Sequence, residues 1–301
     1  MIKSRMTSLA FLMAAIIPFA QAKTITHAQG TTEIPSVPKT IIALDLAAVD
    51  TLNTLGIEIT GLPKPHAYDY LEPFSAEKYI SAGSFWEPDF ETIAATEPDL
   101  IITGGRTQKQ FQQMSKIAPT IDSTTSGDHF LDHFYTTTTM LAEAVDKTAE
   151  AETYLAKIRQ RVENIKTSDK NNKNALFILT SGGKISAFGP GSRFGLIHDE
   201  LGIQPAVEDI EAETHGDPVS FEFLQKVNPD LIFVLDRDAA IGQDSKAAQA
   251  LLDNELVHQL NAYKNDDIIY LNGYTWYMVG YGLTAVDRML TEIETALGID
   301  H

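Results

Sequence analysis

Two stretches of the chain are unbroken apolar runs, Leu100 to Thr103 and Leu231 to Leu235. Runs of that length read as strands buried on both faces of a parallel sheet. The same arrangement leads into each. Residues 90–106 read FETIAATEPDLIITGGR and residues 221–237 read FEFLQKVNPDLIFVLDR. They align without a gap at an offset of 131, matching at Phe, Glu, Pro, Asp, Leu, Ile and the final Arg. The spacing from Phe90 to Thr96 predicts a short amphipathic helix, which Pro98-Asp99 ends. A second echo precedes each copy in the same order, TLNTLGIEI at 51–59 and LIHDELGIQ at 196–204. The chain therefore repeats one α/β plan. Arg106 and Arg237 fall just past the carboxyl ends of the two strands, where open α/β sheets bind their ligands.

Between the copies, Leu155, Ile158, Val162 and Ile165 form one apolar stripe in a segment from Asp146, placed to cap it, to Thr167, with Glu150 in the first turn. A helix of roughly 20 residues is about 30 Å long, enough to span two small lobes. The polar run 168–173 leads into a strand from Ala175 to Leu179, and Ile268 to Leu271 reads as another. The expected fold is α/β: lobes over 23–145 and 168–301 with mainly parallel sheets, a connecting helix over 146–167, and a ligand cleft between them. So stiff a connector predicts a small change of lobe angle on binding rather than wide closure.

The first 22 residues read as a cleavable secretory signal, not as part of the fold. Lys3 and Arg5 make a positive start, Leu9 to Phe19 an apolar core, and Ala20-Gln21-Ala22 a small-residue cleavage site. No later apolar run is long enough to cross a bilayer. The chain has no cysteine, so neither a disulfide nor a lipid-bearing cysteine is expected, and free release into the periplasm fits best. Loss of the signal takes two basic residues and no acidic ones, making the formal charge of -18 more negative still. That acidity argues against nucleic acid or an anionic membrane as partner, and makes arginines near a cleft more informative.

Two α/β lobes, one long connecting helix, an export signal and a twice-used PDLI segment resemble the periplasmic binding proteins for siderophores and cobalamin, over nearly all of the mature chain. Arg106, Arg193, Arg237, His215 and Tyr277 resemble the branch that binds catecholate siderophores. The resemblance implies a ferric catecholate as ligand, no permanent cofactor, no enzymatic activity, a monomer, and an inner-membrane ABC permease as partner. The three arginines match the family's cleft arginines, Arg193 within the turn Gly189-Pro190-Gly191-Ser192-Arg193-Phe194-Gly195. Guanidinium groups present forked donors to catechol oxygens and keep their charge at any relevant pH.

By the same resemblance, His215, in Glu213-Thr214-His215-Gly216-Asp217, and Tyr277, in Thr275-Trp276-Tyr277-Met278, supply iron ligands. A tetradentate bis-catecholate leaves two positions of a six-coordinate ferric ion open, which an imidazole and a phenolate can fill. Tyr274 competes for the tyrosine role, because Gly273 leaves the local register open. Trp86 and Trp276, with Phe85, Tyr274 and Tyr281, are candidates to pack on catechol rings, though such residues are more often core. Glu91 and Glu222 occupy equivalent places in the repeat, and the resemblance gives them to docking on the transporter.

Other readings compete. A metal-ion binding protein would draw on His66, His129, His133, His198, His215 and His258, with His129 and His133 at helical spacing. No HExxH pattern is present, and arginines would repel a bare cation. Haem or cobalamin could occupy the same fold without needing three arginines. A hydrolase or phosphate-transfer enzyme is disfavoured by the lack of a GxSxG elbow and a GxxxxGK[ST] loop.

Overall fold

The apolar runs become strands of two separate sheets in the computed structural model, which describes residues 22–66, 68–125, 129–210, 215–243 and 246–300. The expected signal segment, up to residue 21, lies outside the described residues. No helix among those described is long and apolar enough to cross a membrane.

A hairpin of β1 (Lys23–His27) and β2 (Gly30–Ile34) opens the described chain. The first sheet holds β3 (Ile41–Ala43), β4 (Gly61–Leu62), β5 (Ile80–Ser81), β6 (Leu100–Thr103) and β7 (Thr120–Asp122). Its order is β5-β4-β3-β6-β7, parallel throughout. The second sheet contains β8 (Asn174–Ser181), β9 (Lys184–Phe188), β10 (Gln204–Pro205), β11 (Asp217–Val219), β12 (Leu231–Asp236) and β13 (Ile268–Leu271). Here β8, β12 and β13 run parallel, while β9 and β11 add an antiparallel edge. Gly182 and Gly183, both at positive φ, make the two-residue turn that folds β9 back on β8. That excursion delivers the Gly189–Arg193 turn to the cleft.

The repeat has a structural meaning that its letters alone did not disclose. The helices Phe90–Ala95 and Phe221–Val227 are capped by Asp89, accepting from the Thr92 amide at 3.0 Å, and by Ser220, accepting from the Phe223 amide at 3.3 Å. Each helix is followed by a residue in the left-handed region, Glu97 (φ 49) and Asn228 (φ 48), at matching places in the repeat. The aspartates that follow tie down the neighbouring strand. Asp99 accepts from the Lys39 and Thr40 amides, each at 2.9 Å, beside β3, and Asp230 accepts from Asn174 Nδ2 at 2.8 Å at the start of β8. The recurrent Pro-Asp thus sets the strand order, and the apolar residues after it are fully buried.

The connecting helix spans Thr148–Thr167, and its stripe of Leu155, Ile158, Val162 and Ile165 is buried as expected, joined by Ala151. It begins two residues later than the sequence suggested. Asp146 does not cap it: the residue is left-handed (φ 62) and its carboxylate pairs with Lys23 instead. Arg161 fastens the helix to Leu283–Leu297 through Glu294, Asp287 and Thr291. The terminal helix Leu283–Leu297 also reaches the first lobe. There the buried Asp50 accepts its Ala285 amide at 3.0 Å, and the Thr51 hydroxyl accepts the Leu283 amide at 3.3 Å. Tyr274, Met278, Val279 and Ala285 accordingly pack within the first lobe's core, while Leu131 and Phe134 pack within the second's.

Candidate functional site

The carboxyl ends of β3, β6 and β7 face the Gly189–Arg193 turn and the segment Tyr274–Val279 across a cavity of about 360 Å³. Its chemistry centres on Tyr277. The guanidinium carbons of Arg193, Arg237 and Arg106 lie 5.0, 5.7 and 6.0 Å from the centre of that ring. Arg237 Nε donates to the Tyr277 hydroxyl at 3.0 Å. Burial opposes ionisation of this phenol, but the Arg237 hydrogen bond and the charges of Arg237, Arg193 and Arg106 outweigh it. They hold its pKa below the ordinary value of 10.0.

Each arginine is placed by a local device. Arg237 opens a short helix whose cap is Asp236, accepting from the Ala239 amide at 3.1 Å. Arg106 reaches across from the first lobe and donates to the carbonyls of Tyr277 at 2.9 Å and Met278 at 3.2 Å. Arg193 lies between the rings of Phe194 and Tyr277, at 4.7 and 5.0 Å from their centres. The residue as a whole is exposed, with its guanidinium lying against these rings. Burial of the guanidinium lowers its pKa, yet the group remains charged at any relevant pH.

Residues Tyr274–Val279 form a wide helical turn, closed by the Gly280 amide donating to the Thr275 carbonyl at 2.9 Å. Gly273 is required at its start: a Cβ there would meet Ala240 Cβ at 2.8 Å and the Asp236 carbonyl at 2.9 Å. This close approach sets Tyr277 beside Arg237. It also resolves which tyrosine faces the cavity. Tyr274 is only 3 % exposed and its hydroxyl donates to the His66 carbonyl at 2.8 Å, so it is engaged in the packing between lobes. Burial pushes its phenol up, the reverse of Tyr277.

The remaining sequence candidates divide. Trp276 lines the cavity, its indole donating to Glu292 at 2.6 Å, and Tyr281 lines it too, stacked on Phe130. Trp86 does not: it is 65 % exposed and packs on His66 away from the lining. Phe85 is buried, with Arg106 5.4 Å above its ring. His215 is exposed and is not among the cavity-lining residues. Its neighbour Gly216 packs on Ala187 and Phe188, so His215 stands at the root of the turn that carries Arg193. Glu213 and Thr214 before it lie outside the described residues. Glu91 and Glu222 are exposed in the first turns of the two repeat helices. Among the described residues, no three His, Cys, Asp or Glu side chains converge to hold a bare metal ion.

Sequence reasoning missed Asp45 and Ser123, which also line the cavity. Both follow strands, β3 and β7, at the sheet edge that had marked Arg106, so the same rule could have found them. It also missed the strap over Lys64–Ser75. There Tyr68 donates to the Ala240 carbonyl, and Asp69 accepts from Asn272 Nδ2 at 3.0 Å and pairs with Arg288 at 3.5 Å. These contacts tie the first lobe to the second beside the cavity.

Comparison with known proteins agrees with this architecture. The chain is 41% identical over 269 residues to the petrobactin-binding protein YclQ of Bacillus subtilis, an alignment covering 88% of this chain and 84% of that protein. The crystal structure of YclQ superposes with a TM-score of 0.87 at 39% identity, covering 93% of this chain and all of that one. The periplasmic catecholate-siderophore binding protein VctP from Vibrio cholerae gives a TM-score of 0.85 at 30% identity, over 91% of this chain and all of its own. The profile of one family, described as periplasmic binding protein, matches residues 41–275. With most of its length accounted for in this way, the chain belongs to the periplasmic binding protein family.

Proposed function

We propose that this chain is the periplasmic receptor of an ABC transporter for iron, and that its cargo is a ferric catecholate siderophore. The observation that carries the reading is the set of three guanidinium groups around Tyr277, of which Arg106 and Arg193 line the cavity between two lobes and Arg237, outside the lining, donates to the Tyr277 hydroxyl. A ferric tris-catecholate is a trianion whose iron-bound oxygens still accept hydrogen bonds, and forked guanidinium donors suit it. The names of the relatives, petrobactin-binding and catecholate-siderophore binding, support the same class. The activity is binding and delivery without covalent chemistry, since the family and these relatives are binding proteins.

With a tetradentate siderophore, Tyr277 supplies a phenolate to the iron, and its depressed pKa lowers the cost of releasing the proton. His215 supplies the sixth ligand by an inward movement of its turn. With a hexadentate ligand both residues only hydrogen-bond. Glu91 and Glu222 dock the loaded monomer on the permease, and export follows from a cleavable signal ending at residue 22.

Fluorescence titration tests the reading, because Trp276 lines the cavity. A ferric tris-catecholate should bind at least about a hundredfold tighter than an uncharged ferric tris-hydroxamate, a difference of roughly 3 kcal/mol. Equal affinities would remove the arginine-centred account.

A further inference from the structure

Outside the cavity lining, the two lobes meet at a buried carboxylate. Asp50 is fully buried and is the one ionisable side chain of the first-lobe helix Leu46–Thr54. Opposite it stands the start of the terminal helix Leu283–Leu297. The Ala285 amide donates to Asp50 Oδ2 at 3.0 Å, and the neighbouring Thr51 hydroxyl accepts from the Leu283 amide at 3.3 Å. Gly282 permits this approach, because a Cβ there would overlap Asp50 Oδ2. Side chains of the first lobe thus take up the free amides at one end of a second-lobe helix.

The fit is incomplete on one side. Asp50 Oδ1 is buried with no hydrogen-bond partner among the described residues, and so is the hydroxyl of Tyr70 in the strap. Ala285, Thr284 and the charge of Arg288 on the terminal helix draw the carboxyl towards ionisation, but burial outweighs them. The strap brings Asp69 and Tyr70 to the same junction, and the wide turn brings Tyr274. Helix Phe130–Ala144 and β3 add apolar residues, Met140, Leu141 and Ile41 among them. A neutral carboxyl suits this place. An ionised one is desolvated with Oδ1 unmatched, so its charge favours any state in which water reaches it. The effect extends to the site, because the turn that carries Tyr277 runs through Gly280 directly into this junction.

We propose that Asp50 is a proton-operated clasp: neutral, it holds the terminal helix and the Tyr277 turn against the first lobe, and ionised, it lets that junction part. The role does not depend on what the cleft carries. Closure of the junction raises the carboxyl from 3.8 to about 7. The grip is therefore full below about pH 4, weakens as pH rises from there to about 7, and stays low above it.

Amide hydrogen exchange of the ligand-free protein tests this, followed from about pH 5 to about pH 8 and corrected for the intrinsic rate. The wild type is compared with Asp50→Asn, which keeps an acceptor for the Ala285 amide. Protection of the Gly280, Leu283 and Ala285 amides should fall at least about tenfold over that range in the wild type, within a linkage limit of about tenfold per pH unit. In Asp50→Asn it should change less than about twofold. Amides of β6 and β12 should stay at least about tenfold better protected than the junction at every pH, which marks the opening as local. Constant protection of the junction in the wild type, or an equal fall in Asp50→Asn, overturns the clasp. So does junction protection equal to that of β6 and β12, because the junction then opens only with the whole fold. The wild-type readings decide by themselves if the variant fails to fold.

Discussion

Replacing Arg237 by Gln removes one unit charge 5.7 Å from the Tyr277 ring, together with the 3.0 Å hydrogen bond to its hydroxyl. At an effective dielectric constant of about 20, a charge pair at that separation is worth roughly 3 kcal/mol. Arg237 is half-buried beside a cavity open to water, so screening reduces this to about 1–2 kcal/mol, or roughly five- to thirtyfold in affinity. The loss should fall equally on tetradentate and hexadentate ferric complexes, because it acts on ligand charge rather than on iron coordination. A second readout is internal to the empty protein. The Tyr277 phenol is held low partly by Arg237, so in Arg237→Gln it should ionise at higher pH, visible as a delayed tyrosinate absorbance change. Arg237→Lys should recover part of the affinity as a point charge, though not the forked geometry. Unchanged affinity together with an unmoved tyrosinate transition in Arg237→Gln refutes the reasoning.

Further consequences concern ligation, docking, acid stability and lobe motion. His215→Ala combined with Tyr277→Phe should weaken a tetradentate complex at least about tenfold more than a hexadentate one; equal losses contradict direct ligation. Reversing Glu91 and Glu222 to Lys should leave siderophore affinity intact and stop uptake by cells, and normal uptake retires the docking role. Burial raises the pKa of Asp50 from 3.8 to about 7 between the lobes, so the folded state holds a proton there that the unfolded chain releases. Stability from this group is therefore full below about pH 4 and is lost as pH rises through 7. Asp50→Asn should raise the melting temperature at pH 8 and change it little at pH 4, and the opposite pattern contradicts the assignment. The strap contacts of Tyr68, Asp69 and Tyr274 and the stiff connecting helix predict nearly equal scattering radii with and without ligand, against which a large fall on loading would count.

The parts of this molecule that announced themselves in sequence are those governed by local and periodic rules. The strands β6 and β12 were legible as apolar runs, and the connecting helix as a stripe. Arg106 and Arg237 were legible because a repeat placed them at equivalent strand ends. Other features depend on contacts between distant segments. Gly273 could be read as a break in register, but only the approach to Ala240 makes it the reason that Tyr277, rather than Tyr274, faces the cavity. Asp146 had the right residue type for a cap and was diverted by Lys23, which lies far away in sequence. The strap over Lys64–Ser75 has no period to detect, because the hydrogen bonds that tie it to the second lobe run to residues distant in sequence, Ala240, Asn272 and Tyr274. The Gly182-Gly183 turn, in contrast, carries a recognised hairpin signature, and attention to it would have supplied β9 and the antiparallel edge.

The account stands most directly on a titration of the ligand-free protein with a ferric bis-catecholate, following tryptophan fluorescence and the visible charge-transfer band together. Saturable quenching accompanied by a shifted band is the predicted result, because Trp276 lines the cavity and the proposed ligation brings the Tyr277 phenolate, whose pKa is lowered, into the iron sphere. The absence of any response, to this complex and to a tris-catecholate alike, would contradict it.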